Sequence, residues 1–406
     1  MHAACVIAPN FVPHARVLAA SFRRHHARGR LSVLVVDDDD LGSRVEIAGA
    51  EVLTPADIGI DERELHLRAV LFDAQGVISS LRPVLLAHVL RRGAEAVLLL
   101  DADMLVLAPF DDVWRLARDS GVLLSPHALT PLPGGPGAWR EEELLRSGTF
   151  SGGFLGVGAT GVTFLDWLTA RAARDCLRAP ERGLLYTQTW LNLVPALFAH
   201  HVLRDAGINA QVHALAGQDV TFDDAGPRLG RAPLRLYHFA GFDPGDPARL
   251  CRYYDRDIGL DSRPGLRRLC GEYAALLHQA GWPMRDRWRW DTTTAGLTID
   301  AAVRRAYREG VLIAECGEGP QPPDPFDPGE NDSTIVWLRT PPARVETTVS
   351  RYLLALLAER ADLRSVFPDV PGRDDHAYLR WAAEKVQDGC DDHAEIPAIL
   401  ATAAPG

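Results

Sequence analysis

The sequence predicts an α/β fold, in which a doubly wound sheet is covered by helices on both faces. Two apolar runs, 31–36 and 97–100, lack the alternation of a half-exposed strand and therefore suit strands that are buried on both faces. Short apolar strands alternate with helical periods up to residue 126. Beyond residue 247 the pattern changes to helices and irregular segments, which predicts a second, mainly helical region.

The individual elements follow from the spacing of the apolar residues. The second predicted strand runs into four consecutive acids. Pro83 falls in the first turns of the helix expected at 77–92, where proline is tolerated. Strands are expected at 3–8, 31–36, 51–53, 97–100, 122–125, 149–158 and 234–239. Helices are expected at 14–28, 61–72, 77–92, 161–174, 187–197, 345–357 and 374–386.

Composition limits the class of protein. The chain of 406 residues has a net charge of −11, which argues against a general nucleic-acid or anionic-membrane binder. It contains no apolar run long enough for a transmembrane helix and no recognisable signal peptide. Six scattered cysteines without a CxxC pair favour free thiols and a cytoplasmic location.

The change of pattern near residue 247 also predicts the domain organisation. We expect a catalytic domain over 1–250 and a helical extension over 251–406. The stretch 317–333 is rich in proline, glycine and acids, and we expect it to be an exposed linker.

The most informative stretch is the apolar run 97–100, which leads directly into Asp101-Ala102-Asp103. Two carboxylates separated by one residue on an extended backbone point the same way, and ligands of such sheets bind at the carboxyl ends of the strands. This pattern predicts a site for a divalent cation. Asp residues also end strands as turn formers or helix caps. A phosphatase with a nucleophilic first Asp is a further alternative, although its motif normally lies on the first strand.

Four segments in order, VLLLDADMLVL, FSGGFLGV, YTQTWLNLVPALF and LYHFAGFDP, resemble bacterial glycosyltransferases with the GT-A fold, close to glycosyltransferase family 8. The resemblance covers roughly the first 245 residues. It implies a mixed sheet flanked by helices and a metal-dependent hexosyltransferase. That enzyme would move a sugar from a nucleoside diphosphate sugar, with UDP the expected nucleotide, to an acceptor hydroxyl with retention. The acceptor could be a saccharide, a natural product or a polypeptide.

The resemblance also implies roles for individual residues. Asp101, Asp103 and His238 match the family's ligands to Mn²⁺ or Mg²⁺, and the imidazole favours Mn²⁺. The candidate catalytic residues are Gln188, Thr187 and Asp103. Residues expected to contact the sugar nucleotide are Ala8, Asn10, Phe11, Asp38, Arg82, Asp101, Ala102, Ser151, Gly152, Gly153 and Gly241.

Two departures from the family pattern bear on function. Thr187 stands where relatives have the Asp of an Asp-Gln pair, and Pro244 stands where they place a lysine on the diphosphate. Arg249 or Arg252 could supply that cation, or could be surface arginines. These departures leave open a catalytically silent module that binds sugar nucleotides. A nucleotidyltransferase is a further alternative, but the loop after the first strand lacks its glycines.

Overall fold

A computed structural model describes residues 1–36, 45–132, 141–215, 218–252, 260–284, 288–387 and Pro397. The chain forms two compact units. Unit 1 comprises Met1–Ile60 and Ala74–Arg287, and unit 2 comprises Asp61–Asp73 and Trp288–Gly406. The prediction that a catalytic domain ends at residue 250 concerns function and stays a prediction.

The strands of the described residues all belong to unit 1. They are β1 His2–Ile7, β2 Arg30–Val35, β3 Glu51–Leu53, β4 Ala96–Leu100, β5 Met104–Val106, β6 Val122–Pro126, β7 Phe150–Gly158, β8 Arg178–Ala179, β9 Leu184–Leu185, β10 His200–Val202, β11 Val220–Asp223, β12 Gly226–Leu229, β13 Ala232–Pro233 and β14 Leu236–His238.

The α-helices are divided between the two units. They are α1 Val12–His25, α2 Glu62–Leu71, α3 Ala74–Arg91, α4 Asp111–Ser120, α5 Glu141–Ser147, α6 Val162–Asp175, α7 Val194–Leu197, α8 Pro264–Gln279, α9 Ala301–Glu315, α10 Asn331–Arg339, α11 Arg351–Glu359, α12 Ala361–Val366 and α13 Asp375–Gln387. Helices α2 and α9 to α13 lie in unit 2, and the others lie in unit 1.

Unit 1 is built on a mixed sheet of seven strands in the order β10-β6-β7-β4-β1-β2-β3. Strand β7 runs antiparallel to both of its neighbours, while the other pairs are parallel. The predicted α/β class, the mixed sheet flanked by helices and the helical C-terminal region are confirmed. Three smaller sheets of the described residues, β14-β5, β11-β12-β13 and β8-β9, accompany the main one.

The main sheet is buried on both of its faces, as its apolar runs require. All five residues of β4 and all nine of β7 are buried. A core cluster joins β1, β2 and β4 to the inner face of α1, which presents Ala15, Leu18 and Phe22. In a second cluster, α8 packs its apolar stripe beside β14. Because α8 lies beyond residue 250, part of the core of unit 1 comes from the region expected to form the extension.

Helix α3 differs from the amphipathic helix predicted at 77–92. It begins at Ala74, so that Pro83 lies in the helix interior rather than in the first turns. Most of its residues are buried on every side, because it packs against β1 and β4 on one face and α6 on another. Packing from both sides offsets the amide hydrogen bond that proline cannot donate.

The segment 187–197 also differs from the continuous helix that was predicted. It forms a 3-10 helix over Thr189–Leu193 and only one α-helical turn over Val194–Leu197. Pro195 stands in the first turn of that short helix, a position where its missing amide hydrogen is not needed.

Unit 2 consists of helices and irregular segments. The stretch 317–333, predicted as an exposed linker, lies within unit 2 and is exposed at 317–321 and 327–329. Pro322, Pro325 and Phe326 are buried, and the Tyr307 hydroxyl donates to the carbonyl of Pro323 at 3.0 Å. The apolar side chains among the prolines are buried, and composition alone does not predict this burial. No helix in the described part of either unit has both the length and the apolar character needed to span a membrane.

Candidate metal and sugar-nucleotide site

The Asp-x-Asp motif lies where two sheets meet. Strand β4 ends at Leu100 beside the parallel strand β1, and β5 begins at Met104 in the small sheet. A turn therefore occupies 101–103, and the amide of Met104 donates to the carbonyl of Asp101 at 3.2 Å. The extended backbone predicted for the motif is wrong, because the chain leaves one sheet and enters another at this point. Ala102 is buried inside the turn.

The pairing of β5 with β14 brings the third residue to the motif. His238 is paired with Met104, and the amide of Phe239 donates to the carbonyl of Asp103 at 2.8 Å. His238 Nε2 lies 3.2 Å from Asp103 Oδ1 and 3.9 Å from Asp101 Oδ2. One possible ligand atom from each of the three side chains lies within 4.8 Å of the others. The three predicted metal ligands thus converge from two distant parts of the chain.

The electrostatics of this group are dominated by the imidazole and the carboxylate beside it. Burial acts to raise the pKa of Asp103, but the charge of His238 and the hydrogen bond to it leave that pKa below its usual value. Burial acts to lower the pKa of His238, but the charge and hydrogen bond of Asp103 leave it above its usual value. Each residue therefore stabilises the charged form of the other.

The donor set fits a divalent cation. A cation such as Mn²⁺ lies ~2.1–2.3 Å from oxygen and imidazole ligands, so its ligands are separated by roughly 3–4.5 Å. The convergence of the three ligand atoms within 4.8 Å satisfies this requirement. Two carboxylates also supply the negative charge that the cation neutralises.

Arg82 is not a surface arginine. Only 7% of the residue is exposed, and its guanidinium donates to Asp101 Oδ1 and to the carbonyl of Gly152 at 2.8 Å. It is held there because it lies on the buried helix α3, one layer away from the end of β4. Arg82 therefore orients one of the candidate metal ligands through its own charge.

Glycine at two positions of β7 allows other groups to approach the backbone closely. A Cβ atom on Gly153 would lie 2.3 Å from Asp101 Oδ2 and 2.9 Å from His238 Cε1. A Cβ atom on Gly152 would lie 3.1 Å from the Cβ of Gln188. The Gly153 carbonyl accepts from the amide of Asp101 at 2.9 Å, which extends the β4–β7 ladder into the motif.

Gln188 connects two backbone segments beside this strand. Its side-chain carbonyl accepts from the amide of Gly152 at 3.0 Å, and its amide group donates to the carbonyl of Ser147 at 2.7 Å. Thr187 and Ser151 are buried, with 4% and 1% of each residue exposed. The structure thus brings Gln188 to the Gly152 backbone, while its catalytic role and that of Thr187 stay predictions.

The first-strand residues lie at the same edge of the sheet. Ala8 follows β1 and is buried, while Asn10 is exposed and Phe11 half-buried in the 3-10 turn before α1. Gly241 has a φ of 73°, a conformation that glycine adopts without strain. Its carbonyl accepts from the amide of Arg252 at 2.8 Å, so that this arginine lies beside the His238 motif. Asp38 lies outside the described residues.

Two further residues at this site escaped the sequence analysis. Asn209 contacts His238 Nδ1 at 3.1 Å. Burial lowers the pKa of His14, although the charge of nearby Asp103 acts to raise it. Neither residue follows a strand in an informative motif. Asn209 reaches the site only through the pairing of its segment with β14.

Comparisons with known proteins give fold neighbours but no sequence family. No family model matches the chain, and no curated protein matches its sequence. Among solved structures, it is similar to the galactosyltransferase LgtC in complex with donor and acceptor sugar analogues. That match has 15% identity and a TM-score of 0.42 and covers 71% of this chain and 99% of the other.

Two other solved structures are similar to a lesser degree. The glycosyltransferase GlyE of Streptococcus pneumoniae matches at 15% identity and a TM-score of 0.39, over 68% of this chain and 62% of its own. Mouse xyloside xylosyltransferase 1 matches at 12% identity and a TM-score of 0.34, over 58% of this chain and 96% of its own. All three of these solved structures are glycosyltransferases.

Proposed function

We propose that this chain is a GT-A glycosyltransferase, which moves a sugar from a UDP-sugar to an acceptor hydroxyl with retention of configuration. The observation that carries the proposal is the convergence of Asp101, Asp103 and His238 at the carboxyl edge of the sheet. Asp101 and Asp103 come from the turn after β4, and His238 comes from β14, so the three side chains are brought together by strand pairing.

The three side chains would hold Mn²⁺ or Mg²⁺. When bound, the cation supplies Lewis-acid stabilisation of the negative charge that develops on the leaving diphosphate. The protein's own contribution is orientation. Arg82 holds the Asp101 carboxylate from the helix side, and Gly153 leaves room above it.

We assign the sugar to the space beside Gly152 and Gln188. Because Gln188 is hydrogen-bonded to Gly152 and Ser147, it would keep the backbone of β7 in place against the transferred sugar. Thr187 lacks the carboxylate of the usual Asp at this position, so that it would contact the sugar without adding charge. Ala8, Asn10 and Phe11 would receive the nucleoside.

We place the reaction in the cytoplasm. Of the described cysteines, those at positions 5, 270 and 316 are free thiols. Free thiols persist in reducing compartments.

The proposal is tested with Asp103→Asn, which keeps the shape of the side chain and removes its charge. We expect Mn²⁺-dependent hydrolysis of a UDP-sugar, chosen from a panel by thermal shift with and without Mn²⁺, to fall by at least about 100-fold. The matched control is Asp166→Asn on the exposed surface of α6, which should leave hydrolysis unchanged.

Other outcomes would assign another function. Release of inorganic phosphate from small esters without any sugar nucleotide would indicate a phosphatase. Donor binding without hydrolysis or transfer to any acceptor would indicate a silent binding module. Full activity of Asp103→Asn in EDTA would exclude this metal site altogether.

A further inference from the structure

Asn209 links the candidate metal ligand His238 to the main sheet. Its side chain is buried, with 3% of the residue exposed, and both of its polar atoms have partners. Its Nδ2 donates to the Ser125 hydroxyl at 3.0 Å, near the end of β6, and its Oδ1 lies 3.1 Å from His238 Nδ1.

The backbone beside Asn209 is also hydrogen-bonded to β14. The amide of Ala210 donates to the carbonyl of Leu236 at 3.1 Å, and the amide of His238 donates to the carbonyl of Ala210 at 2.8 Å. The residue after Asn209 therefore pairs with β14 through one parallel bridge, between Ala210 and Tyr237. Its side chain then reaches across to the main sheet, whose strand β4 leads into Asp101.

The chemistry of the contact determines which nitrogen of His238 carries a proton. A side-chain amide oxygen can only accept a hydrogen bond, so Nδ1 must be the donor. In a neutral imidazole this leaves the lone pair on Nε2, the atom that faces Asp103 and Asp101. An imidazole with the opposite tautomer would present a hydrogen to the cation instead.

We propose that Asn209 is a positioning residue, which holds His238 in the Nδ1–H tautomer and fixes the ring so that Nε2 faces the two carboxylates. The inference rests on the proposed function in one respect, namely that the trio binds a metal. Partners of this kind are the usual means by which proteins orient a histidine ligand. Here the partner also fixes the distance between β14 and the end of the main sheet.

The backbone of Asn209 makes a clean test possible. Its φ is 53°, a left-handed conformation that asparagine tolerates and glycine adopts without strain. Asn209→Gly therefore removes the side chain and keeps the backbone. Asn209→Asp keeps an oxygen toward His238 Nδ1, and the Ser125 hydroxyl can rotate to donate to it.

A matched control lies two residues further along the same segment. Gln211 is buried to the same extent, with 3% exposed, and its amide contacts His127 Nδ1 at 2.8 Å. Gln211→Ala thus removes a buried amide–histidine contact that does not involve the trio.

Two measurements on the full chain decide the proposal. The first is the tautomer of His238 with the diamagnetic cation Mg²⁺ bound, from ¹⁵N spectra of labelled histidine, with the signal assigned through His238→Gln. The cation is needed because without it Nε2 faces the Asp103 carboxylate, which accepts a hydrogen bond from a protonated Nε2. The second is the Mn²⁺ dissociation constant in the presence of UDP, from electron paramagnetic resonance of free Mn²⁺. We expect Asn209→Gly to lose the Nδ1–H preference and to bind Mn²⁺ about 10- to 100-fold more weakly. Asn209→Asp should stay within about threefold of the wild type.

Three results would overturn the proposal. These are an unchanged tautomer and Mn²⁺ affinity in Asn209→Gly, a loss in Asn209→Asp as large as in Asn209→Gly, or an equal loss in Gln211→Ala. The tautomer measurement needs the cation but no donor. A tautomer that depends on Asn209 in a protein without donor turnover would therefore reject the proposed function and leave the role of Asn209 standing.

Discussion

Gly153→Ala is the most direct perturbation of the trio, because it adds one methyl group and changes no charge. The added Cβ would lie 2.3 Å from Asp101 Oδ2 and 2.8 Å from Asp101 Cγ. Non-bonded carbon and oxygen atoms normally stay more than ~3 Å apart, so the carboxylate must move by about 1 Å. A shift of that size separates Asp101 from Arg82 and displaces one of the three ligand atoms.

The magnitude follows from these displacements. Overpacking of a buried position costs about 1–3 kcal/mol, and we expect the melting temperature to fall by a few degrees. A misplacement of about 1 Å in a reacting site costs on the order of 100-fold in rate, and we expect that loss in Mn²⁺-dependent donor hydrolysis.

The control for this experiment is Gly271→Ala, on the exposed side of α8. A Cβ at this position meets no heavy atom within 4 Å, so the substitution should raise stability by about 0.5–1 kcal/mol through helix propensity alone. Stability is measured by thermal unfolding, and hydrolysis at saturating Mn²⁺ and UDP-sugar. Wild-type hydrolysis and Mn²⁺ affinity in Gly153→Ala would show that Asp101 does not bind the cation from the side that Gly153 faces.

Three further predictions concern other parts of the chain. Arg82→Met should lower stability by about 1–3 kcal/mol and weaken Mn²⁺ binding, because it leaves Asp101 without the Arg82 guanidinium. Arg82→Lys keeps the positive charge and should recover part of the stability and part of the Mn²⁺ affinity. Burial lowers the pKa of His2 from 6.5 to about 4. The unfolded chain therefore binds this proton first, and stability falls as the pH drops from 6.5 towards 4. We expect His2→Gln to reduce the fall in the free energy of unfolding between about pH 7 and pH 4.5 by about 1–2 kcal/mol, after allowance for solvent screening. Thermal unfolding of both proteins at the two pH values measures this difference. Arg304→Met should destabilise unit 2 by about 1–3 kcal/mol, because the guanidinium donates to the carbonyls of Ala69 and Phe72 at the end of α2. In thermal unfolding with two transitions, we expect this variant to shift only one of them.

The α/β class and most elements could be predicted because they depend on local patterns. The two-sided apolar run before Asp101 identified a buried strand, and the helical spacing of 12–25 and 162–175 was visible in the sequence. The errors occurred where a non-local contact decides the structure. Helix α3 extends towards its N-terminus past the expected start, and 187–197 forms a 3-10 helix and one α-helical turn instead of a continuous helix.

The division into two units also depends on non-local contacts. The helix α2, which is flanked in sequence by parts of unit 1, belongs to unit 2 together with residues from 288 onward. Sequence composition changes near residue 247, but α8 at Pro264–Gln279 still contributes to the core of unit 1. A boundary set by packing need not coincide with a boundary set by composition.

The sequence by itself identified Asp101 and Asp103 as candidate cation ligands, because an apolar strand leads directly into them, and the resemblance added His238. Tertiary structure alone decided that they meet, since the antiparallel pairing of β5 with β14 brings His238 to within 3.2 Å of a carboxylate 135 positions earlier in the chain, at Asp103. It also decided the surroundings of the trio, namely Arg82 from a buried helix, the close approach of Asp101 to the Gly153 backbone and the amide of Asn209. Such contacts arise from the packing of separate elements, and no local pattern in the sequence records them.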